Sequence, residues 1–329
     1  MSLNHRKIYN TEIRQWVLQV IDKSHRLARG DLVERACPLC GSEDLSEHVH
    51  NGAFRYDRCP RCSLVFQNPM VSSTMVDEGF EGGDPLLESY FQIMMRYKTT
   101  PPPCPDPTQH NKLKDIYAIK QSGNLLDVGC SVGDFLHLAK YFYDVEGVEI
   151  NPKTSEIAKL DFKVHTDYLD KLDLQPIYDI VTLNQILYGV PDPLSLVKDI
   201  RRILKDDGIL YINTPNSDSY ASQTFRGKCC HYYGYTSLNV FNVDSLKVLA
   251  EMAGMRIIHL RTEWLDIYTP DLIEYYQTPE TFIHKRNCHR PNYEEQIIAE
   301  DELHSRFPQD LRNGGNYIIA VLAKTGGAA

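Results

Sequence analysis

Residues 125–140, LLDVGCSVGDFLHLAK, decide the fold that this sequence predicts. The stretch begins with an apolar run of the length of a buried strand and ends with the apolar spacing of a helix. Gly129 and Gly133 lie between the two, where a tight turn or a close approach of the backbone to a ligand favours residues without a Cβ atom. Taken alone, this turn would suit a bound dinucleotide as well as a simple change of chain direction.

Beyond residue 112, apolar runs alternate with helical segments. Strands are predicted at NLLDVG (124–129), VEGVEI (145–150), FKVHT (162–166), YDIVTLNQ (178–185), GILYINTP (208–215), RIIHLRTE (256–263) and NYIIAVLAK (316–324). Helices are predicted near 133–143, 152–160, 193–205 and 243–253. Because strands and helices alternate, the sequence predicts a parallel, doubly wound α/β sheet. Residues 112–329 are assigned to this domain, with an insertion at about 264–315.

Polar residues follow several predicted strands, at the sheet edge where doubly wound folds bind ligands. Asp127 stands at the end of the first strand, where a buried carboxylate needs hydrogen-bond donors. Glu149 ends the second strand about twenty positions after the glycine turn, which suits a carboxylate that accepts both hydroxyls of a ribose. Asp167 follows the third strand and is placed to take an adenine amino group. Ser131 replaces the second glycine of the G-x-G-x-x-G pattern, which argues against an NAD enzyme.

Four of the nine cysteines form two matched pairs, Cys37-Pro-Leu-Cys40 and Cys59-Pro-Arg-Cys62. Each pair predicts a tight turn that directs two sulfurs at one centre, and four thiolates close a tetrahedral Zn²⁺ site. The spacing is typical of a zinc ribbon, assigned to residues 35–70. Such a site has no open coordination position, so we expect a structural role for the metal.

The remaining N-terminal segments flank this ribbon. Residues 1–34 contain a predicted helix at 8–28, and residues 71–111 contain a predicted helix at 85–98 followed by a proline-rich linker. The linker TTPPPCPDPTQHN (99–111) is rich in proline, which disfavours a helix or a central strand there.

Composition excludes several classes of protein. With 35 Lys+Arg against 44 Asp+Glu, the net charge is −9, which argues against general binding to nucleic acid. No apolar run is long enough to span a membrane, and the first residues lack the apolar core of a signal peptide. A cytoplasmic protein is therefore expected. An odd cysteine count without an export signal argues against a disulfide scaffold.

These motifs, taken in order, resemble the class I S-adenosylmethionine-dependent methyltransferases. LDVGCSVGDFL resembles their first motif, VEGVEINP their second and HTDYL their third, while YDIVTLNQILYGVPDP and RRILKDDGILYINTPN resemble the fourth motif and the following strand. The resemblance implies a Rossmann-like, seven-stranded methyltransferase sheet and covers about residues 112–263 plus the last strand. With the N-terminal four-cysteine ribbon, the chain resembles the sugar C-methyltransferases and related enzymes of polysaccharide and natural-product pathways.

The resemblance also implies roles for individual residues. The residues expected to bind S-adenosylmethionine are Asp127, Gly129, Cys130, Ser131, Gly133, Phe135, Glu149, Ile150, Asp167, Tyr168, Asn184 and Gln185. Glu149 would hold the ribose, Asp167 would contact the adenine, and Asn184 would lie near the sulfonium. The product would be S-adenosylhomocysteine, and the partner a small-molecule methyl acceptor such as a sugar, a nucleotide-sugar or a natural-product intermediate.

Methylation of a hydroxyl or an activated carbon needs a base. The stretch KCCHYYGYTSLN (228–239) follows the fifth strand and offers His231 and Tyr235 for this role. Tyr188, after the fourth strand, is a third candidate. Each of these side chains could equally be part of a structural aromatic cluster.

Two other functions stay open at this point. Arg55, Arg58 and Arg61, with Phe54 and Tyr56, could form a small RNA-binding patch on the ribbon, although a solvated face is the simpler interpretation. This would make the chain an RNA methyltransferase. Alternatively, Gly189 and Ser237 stand where the resembled enzymes have histidines. Their replacement would suit a non-catalytic, cofactor-binding partner protein.

Overall fold

The computed structural model describes residues 32–51, 54–72, 107–229, 231–232, 234, 236–263 and 314–326, together with isolated positions 19, 89, 92 and 93. The predicted helices at 8–28 and 85–98 and nearly all of the predicted insertion at 264–315 lie outside these residues. No helix within the described ranges has the length and apolar character needed to cross a membrane.

A seven-stranded sheet forms the centre of the large domain. Its strands are β6 (Asn124–Val128), β7 (Asp144–Val148), β8 (Lys163–His165), β9 (Tyr178–Asn184), β10 (Leu204–Pro215), β12 (Met255–Glu263) and β13 (Tyr317–Lys324). They lie in the order β12-β13-β10-β9-β6-β7-β8. Strand order reverses between β6 and β9, so the carboxyl ends of these two strands form the switch point at which such sheets bind ligands.

One strand departs from the predicted parallel arrangement. β13 pairs antiparallel with both β10 and β12, while the pairs β6–β7, β7–β8, β6–β9 and β9–β10 are parallel. Because β13 is antiparallel, its first residues lie at the same edge as the last residues of β10. The residues just before β13 therefore join the ligand-binding edge.

Helices cover both faces of the sheet. They are α1 (Pro107–Ile119), α2 (Asp134–Ala139), α3 (Pro152–Ala158), α4 (Pro193–Ile203), α5 (Tyr220–Phe225) and α6 (Val243–Met252). Side chains cap several of them, since Asn151 accepts from the backbone of the first turn of α3 and Asn242 forms a capping box with Ser245 at α6. α1 begins inside the segment predicted as linker. Pro107 occupies its first position, where proline costs no hydrogen bond.

The cysteine-rich segment forms a second, four-stranded sheet. Three strands come from this segment, β2 (Ser46–Asn51), β3 (Phe54–Arg58) and β4 (Val65–Gln67), and the fourth is β11 (Asn239–Val240). β11 follows β10 in the chain and pairs antiparallel with β4, so the large domain contributes the edge strand of the ribbon sheet. A separate two-stranded pairing joins β1 (Leu32–Val33) to β5 (Met70–Val71).

Ribbon and large domain share one hydrophobic core. Leu64 and Phe66 of the ribbon belong to the same buried cluster as Leu183 and Ile212 of the central sheet and Phe241 beside β11. The sequence assigned the ribbon to residues 35–70 alone. In the structure, its packing and its fourth strand also depend on residues around 240.

Candidate functional site

The turn after β6 has an unusual backbone. Gly129, Ser131 and Gly133 all have positive φ angles of 78°, 52° and 87°. A Cβ atom on Gly129 would lie 2.1 Å from the side chain of Ile186, so a substituted residue would be excluded there by packing as well as by its backbone angle. The sequence suggested glycine at position 129 because a ligand or a tight turn would approach the backbone there. The close packing of Ile186 is a second physical reason for glycine at this position.

Glu149 fixes the position of this turn. Its Oε2 accepts a hydrogen bond of 2.8 Å from the backbone nitrogen of Ser131, and its Oε1 accepts one of 2.8 Å from the backbone nitrogen of Asn151. The side chain is buried. Hydrogen bonds to a charged acceptor are the stronger kind, so the carboxylate is held in one orientation between the turn and the start of α3.

Asp127 forms a buried ion pair that the sequence did not predict. Its Oδ1 lies 2.9 Å from Nζ of Lys112 in α1, and both side chains are almost fully buried. The hydroxyl of Thr182 in β9 donates to the same oxygen. Lys112 Nζ also lies 3.6 Å from the ring centroid of Phe135. The donors that a buried Asp127 requires are thus supplied by α1 and β9.

A cavity of about 280 Å³ opens beside the carboxyl ends of β7 and β8. It is lined by Ile150, Pro152, Thr166, Asp167 and Tyr168. The three residues predicted to surround an adenine, Ile150, Asp167 and Tyr168, therefore meet at one cavity. Asp167 Oδ1 accepts a hydrogen bond of 2.8 Å from the backbone nitrogen of Tyr168, which fixes its carboxylate at the rim.

Other predicted cofactor residues lie at the switch point or beneath it. Gln185 has a φ of 60°, and its Nε2 donates a 2.6 Å hydrogen bond to Oδ1 of Asn213. Asn184 ends β9 and pairs with Asn213 of β10. Cys130 and Phe135 are buried in the core that packs on α1 and α2. Cys130 Sγ would lie 2.5 Å from a Cβ on Gly147, so this thiol fills space between strands.

His231 is fully embedded behind the end of β10. Its Nδ1 lies 3.1 Å from Oγ of Ser222, and its ring meets that of Tyr317 edge-on at 5.7 Å. Tyr188 lies in a short 3-10 helix after β9, and its carbonyl accepts a hydrogen bond from Leu238. Tyr235, the third predicted base, lies outside the described residues.

The four paired cysteines meet at one point. The ligand atoms of Cys37, Cys40, Cys59 and Cys62 all lie within 4.8 Å of one another, with Cys37–Cys62 and Cys40–Cys59 sulfur distances of 3.5 Å. Tetrahedral zinc with Zn–S bonds of about 2.3 Å requires sulfurs about 3.8 Å apart, so the donor set fits this metal in number, type and spacing. The hydrogen bond with Cys62 lowers the pKa of the Cys37 thiol to about 5, against the effect of burial. Gly41, which follows the first cysteine pair, has a left-handed φ of 69°.

The ribbon's aromatic residues face the large domain. Phe54 and Tyr56 are buried, and the Tyr56 hydroxyl donates to the carbonyl of Ser237 while accepting from the nitrogen of Gly234. Burial raises the pKa of Tyr56 well above its usual range. Neither ring is exposed for stacking on a base.

Three of the ribbon's four arginines are engaged by carboxylates or by the backbone, and the fourth, Arg61, is exposed. Arg55 pairs with Asp57, and Arg58 with Asp218. Arg35 donates to the carbonyls of Gln67, Pro191 and Leu238 and to Asn239 Oδ1. These bonds join the ribbon to the loops after β9 and before β11. Burial lowers the pKa of Arg35 to about 10.

The sheet order, the antiparallel β13 and the edge that carries Glu149 together define the class I S-adenosylmethionine-dependent methyltransferase fold. Consistent with this, residues 108–260 match the family model of a methyltransferase domain.

Curated proteins and solved structures are similar to parts of the chain. A ubiquinone biosynthesis O-methyltransferase from Nitrosomonas europaea is 26% identical over 121 residues, covering 34% of this chain and 52% of that protein. One from Haemophilus ducreyi is 31% identical over 106 residues, covering 28% and 45%. The chain thus spans about half the length of these curated relatives. A solved S-adenosylmethionine-dependent methyltransferase from Archaeoglobus fulgidus aligns with 72% of this chain and 99% of its own at 19% identity and a TM-score of 0.48.

Sequence reasoning missed three features of the site. Lys112 was overlooked because the helix that carries it begins in a proline-rich segment. β11 is two residues long and pairs with a strand far away in the chain, so no local pattern reveals it. Asn316 was read as the first residue of an apolar strand, although it sits at the ligand-binding edge.

Proposed function

We propose that this chain is an S-adenosylmethionine-dependent methyltransferase that acts on a small molecule. The observation that carries the proposal is the position of Glu149, a buried carboxylate at the end of β7 whose two oxygens are oriented by the backbone of Ser131 and Asn151. Burying a carboxylate costs free energy unless hydrogen bonds compensate for the lost hydration. A carboxylate at this strand end of a doubly wound sheet is placed to accept ribose hydroxyls.

Residues suited to each part of the cofactor follow one another along the edge of the sheet. The 280 Å³ cavity of Ile150, Asp167 and Tyr168 would receive the adenine, Glu149 the ribose and the turn at Ser131 the methionine part. When bound, the cofactor would supply a methyl group on a sulfonium: the acceptor would attack the methyl carbon in line, and the sulfur would leave as the neutral thioether of S-adenosylhomocysteine. The chain's task is to orient an acceptor against it and to take a proton.

His231 is the described residue best suited to take that proton. The Ser222 hydroxyl donates to the carbonyl of Asn216 at 3.0 Å, and a carbonyl only accepts. With its proton directed at that carbonyl, Ser222 Oγ accepts from Nδ1 of His231, which leaves Nε2 as the ring nitrogen that would take a proton from an acceptor. The sequence suggested His231 as a base, and this chain of hydrogen bonds supports the correct tautomer for one.

The four-cysteine site is proposed to hold one structural Zn²⁺. Four thiolates leave no position for substrate, so the metal would act by fixing the turns that carry β2, β3 and β4. Since β11 completes the same sheet, the metal would also hold in place the loop that leads from His231 to β11.

We propose a small acceptor, of the kind represented by a sugar, a nucleotide-sugar or a natural-product intermediate, and not RNA. The pairing of Arg55 and Arg58 with carboxylates and the burial of Phe54 and Tyr56 support this choice over an RNA-binding ribbon. The similar proteins named for O-methylation favour oxygen as the receiving atom.

The proposal is tested with the purified full chain. Isothermal calorimetry with S-adenosylhomocysteine should give micromolar binding that is lost in Glu149→Ala. Methyl transfer from S-adenosylmethionine carrying a labelled methyl group should then be detectable on at least one member of a panel of hydroxylated acceptors. Unchanged affinity in Glu149→Ala would remove the cofactor assignment. Tight cofactor binding with no turnover on any acceptor would favour the non-catalytic partner protein instead.

A further inference from the structure

A group of buried polar side chains lacks hydrogen-bond partners at one edge of the central sheet. Within the described part of the chain, the partnerless atoms include Oγ1 of Thr214, Oγ of Ser217, Nε2 of His231 and both side-chain polar atoms of Asn316. None of these four residues is more than 2% exposed. A buried polar atom without a partner costs about 1–3 kcal/mol, so several at one place call for an explanation.

These residues belong to one place in the fold. Thr214 lies at the end of β10 and pairs with Ile318 of β13. Just beyond, the nitrogen of Asn216 donates to the carbonyl of Asn316 at 2.9 Å, which sets Ser217 and Asn316 on adjacent backbones. His231 is brought to the same edge by its ring contact with Tyr317 and its bond to Ser222.

The cluster lies beside the proposed methyl donor. β10 is separated from β6 by one strand, β9, and neighbouring strands lie about 4.8 Å apart. Thr214, in β10, is therefore about 10 Å along the sheet from β6, the strand that leads to the turn at Ser131, and Asn316, just before β13, is one strand further away.

The chemistry of the cluster indicates what it binds. Its members are two hydroxyls, a carboxamide and an imidazole, which offer both donors and acceptors, and none of them is a carboxylate, an ammonium or a guanidinium group. The charged residues at its borders are already engaged, Asp218 by Arg58 and Glu263 by Arg261. An anionic group would find no cation within the cluster, whereas hydroxyl groups, which both donate and accept, match every member.

We infer that Thr214, Ser217, His231 and Asn316 form the acceptor subsite of the proposed methyltransferase, and that they select an uncharged, polyhydroxylated acceptor such as a neutral sugar ring. Asn316 is the principal binding residue, because its amide and its carbonyl are both unpaired and together match two neighbouring hydroxyls. This inference rests on the proposed function for the methyl donor but on different residues for the acceptor.

The energetic signature of a binding residue separates this role from a structural one. If the Asn316 side chain supported the fold, replacing it with leucine of similar volume would lower the melting temperature. If it is held for a ligand, Asn316→Leu removes an unsatisfied buried group and should leave the melting temperature unchanged or raise it.

The experiment uses the full-length protein with S-adenosylhomocysteine and four probes. Methyl α-D-glucopyranoside and myo-inositol represent neutral polyols, D-glucuronate an anionic one, and catechol a neutral aromatic acceptor. Saturation-transfer NMR titrations should show binding of at least one polyol, with a dissociation constant at least ten times higher in Asn316→Leu. The matched control Asn124→Leu alters an asparagine at the opposite end of β6, away from the cluster, and should leave polyol binding unchanged.

Three results would overturn the inference. They are the lack of any Asn316-dependent polyol signal, binding of catechol or D-glucuronate in preference to both polyols, and a lower melting temperature for Asn316→Leu. S-adenosylhomocysteine binding is measured on every variant. Failure of the proposed function would appear as loss of that binding in the unmodified protein, whereas failure of the acceptor subsite would leave it intact.

Discussion

The carboxylate of Glu149 and the backbone nitrogen of Ser131 lie 2.8 Å apart and join the ends of two neighbouring strands. Ser131 stands in the turn after β6 with a left-handed backbone, and Glu149 follows β7. The bond thus holds the turn in the conformation that would meet the methionine part of a cofactor, while the same carboxylate would accept the ribose hydroxyls. One side chain orders two parts of the proposed site.

Replacing Glu149 with alanine should weaken S-adenosylhomocysteine binding at least about 30-fold, since loss of charge-assisted hydrogen bonds costs about 2 kcal/mol or more. Isothermal calorimetry measures the effect. Glu146→Ala is the matched control, because Glu146 lies in β7, three residues before Glu149, but bonds to Lys163 and Tyr178 away from the site. Equal losses in both variants would contradict a specific role for Glu149.

Removing the amino group of Lys112 should destabilise the chain strongly. Lys112→Met leaves the carboxylate of Asp127 buried without its ion-pair partner, which costs about 3–5 kcal/mol. Denaturant unfolding followed by circular dichroism measures this loss. The double variant Lys112→Met/Asp127→Asn removes the unpaired buried charge of Asp127 and should recover about half of the lost free energy of unfolding. If the double variant is no more stable than the single one, the ion pair is not the source of the effect.

Loss of zinc should unfold the ribbon and loosen the loop beside His231. Elemental analysis of the purified chain should find about one zinc per molecule, and Cys62→Ser should lower that content together with the melting temperature. Cys229→Ser is the control, since Cys229 is buried away from the four-cysteine cluster. A zinc content that is unaffected by Cys62→Ser would contradict the proposed metal site.

His231→Ala should lower kcat by about 10²–10⁴-fold on any acceptor that the enzyme methylates, with little change in S-adenosylhomocysteine affinity, because general-base catalysis contributes about that much. Ser222→Ala should give a smaller loss of the same kind, since it removes the acceptor that fixes the tautomer of His231. Combining His231→Ala with Tyr235→Phe tests both predicted bases from this loop. Turnover that survives the combination excludes them.

Acidification should destabilise the chain through His48. Burial, with Arg58 and Arg226 nearby, lowers the pKa of His48 to about 4. In the unfolded chain His48 takes up a proton near pH 6.5, whereas in the folded chain it does so only near pH 4. The contribution of His48 to the free energy of unfolding is therefore fully present above pH 6.5 and declines as the pH falls towards 4. His48→Gln should flatten this decline between pH 6.5 and 5 in thermal unfolding. An identical pH profile for both proteins would exclude His48 as its source.

The central sheet could be predicted from sequence because its signals are local. Strands such as β6 and β9 are apolar runs bounded by turn residues, and their predicted limits agree with the structure to within a residue or two. Whether a strand runs parallel or antiparallel is not a local property. The reversal of β13 follows from where the chain re-enters the sheet.

The site was predictable to the extent that its residues end strands. Glu149 and Asp167 follow predicted strands, so their meeting at one edge was foreseeable. The partners of Asp127 and Tyr56 were not, because Lys112 and Ser237 reach them from distant parts of the chain. The tautomer of His231 depends on hydrogen bonds that run through Ser222 to Asn216. These bonds follow from the three-dimensional arrangement and not from a local sequence pattern.

The large domain supplies β11 to the ribbon sheet, and this has a consequence for biosynthesis. Val65 of β4 pairs with Val240. The ribosome therefore synthesises Cys62, the last residue of the proposed zinc site, long before it synthesises the strand that completes the ribbon sheet. At roughly 5–20 residues per second, that interval is about 9–36 s. During it the nascent ribbon exposes an open edge in β4 and can acquire its metal only as a three-stranded intermediate. Translation speed and zinc supply should therefore influence together how much of the newly made protein reaches the native state.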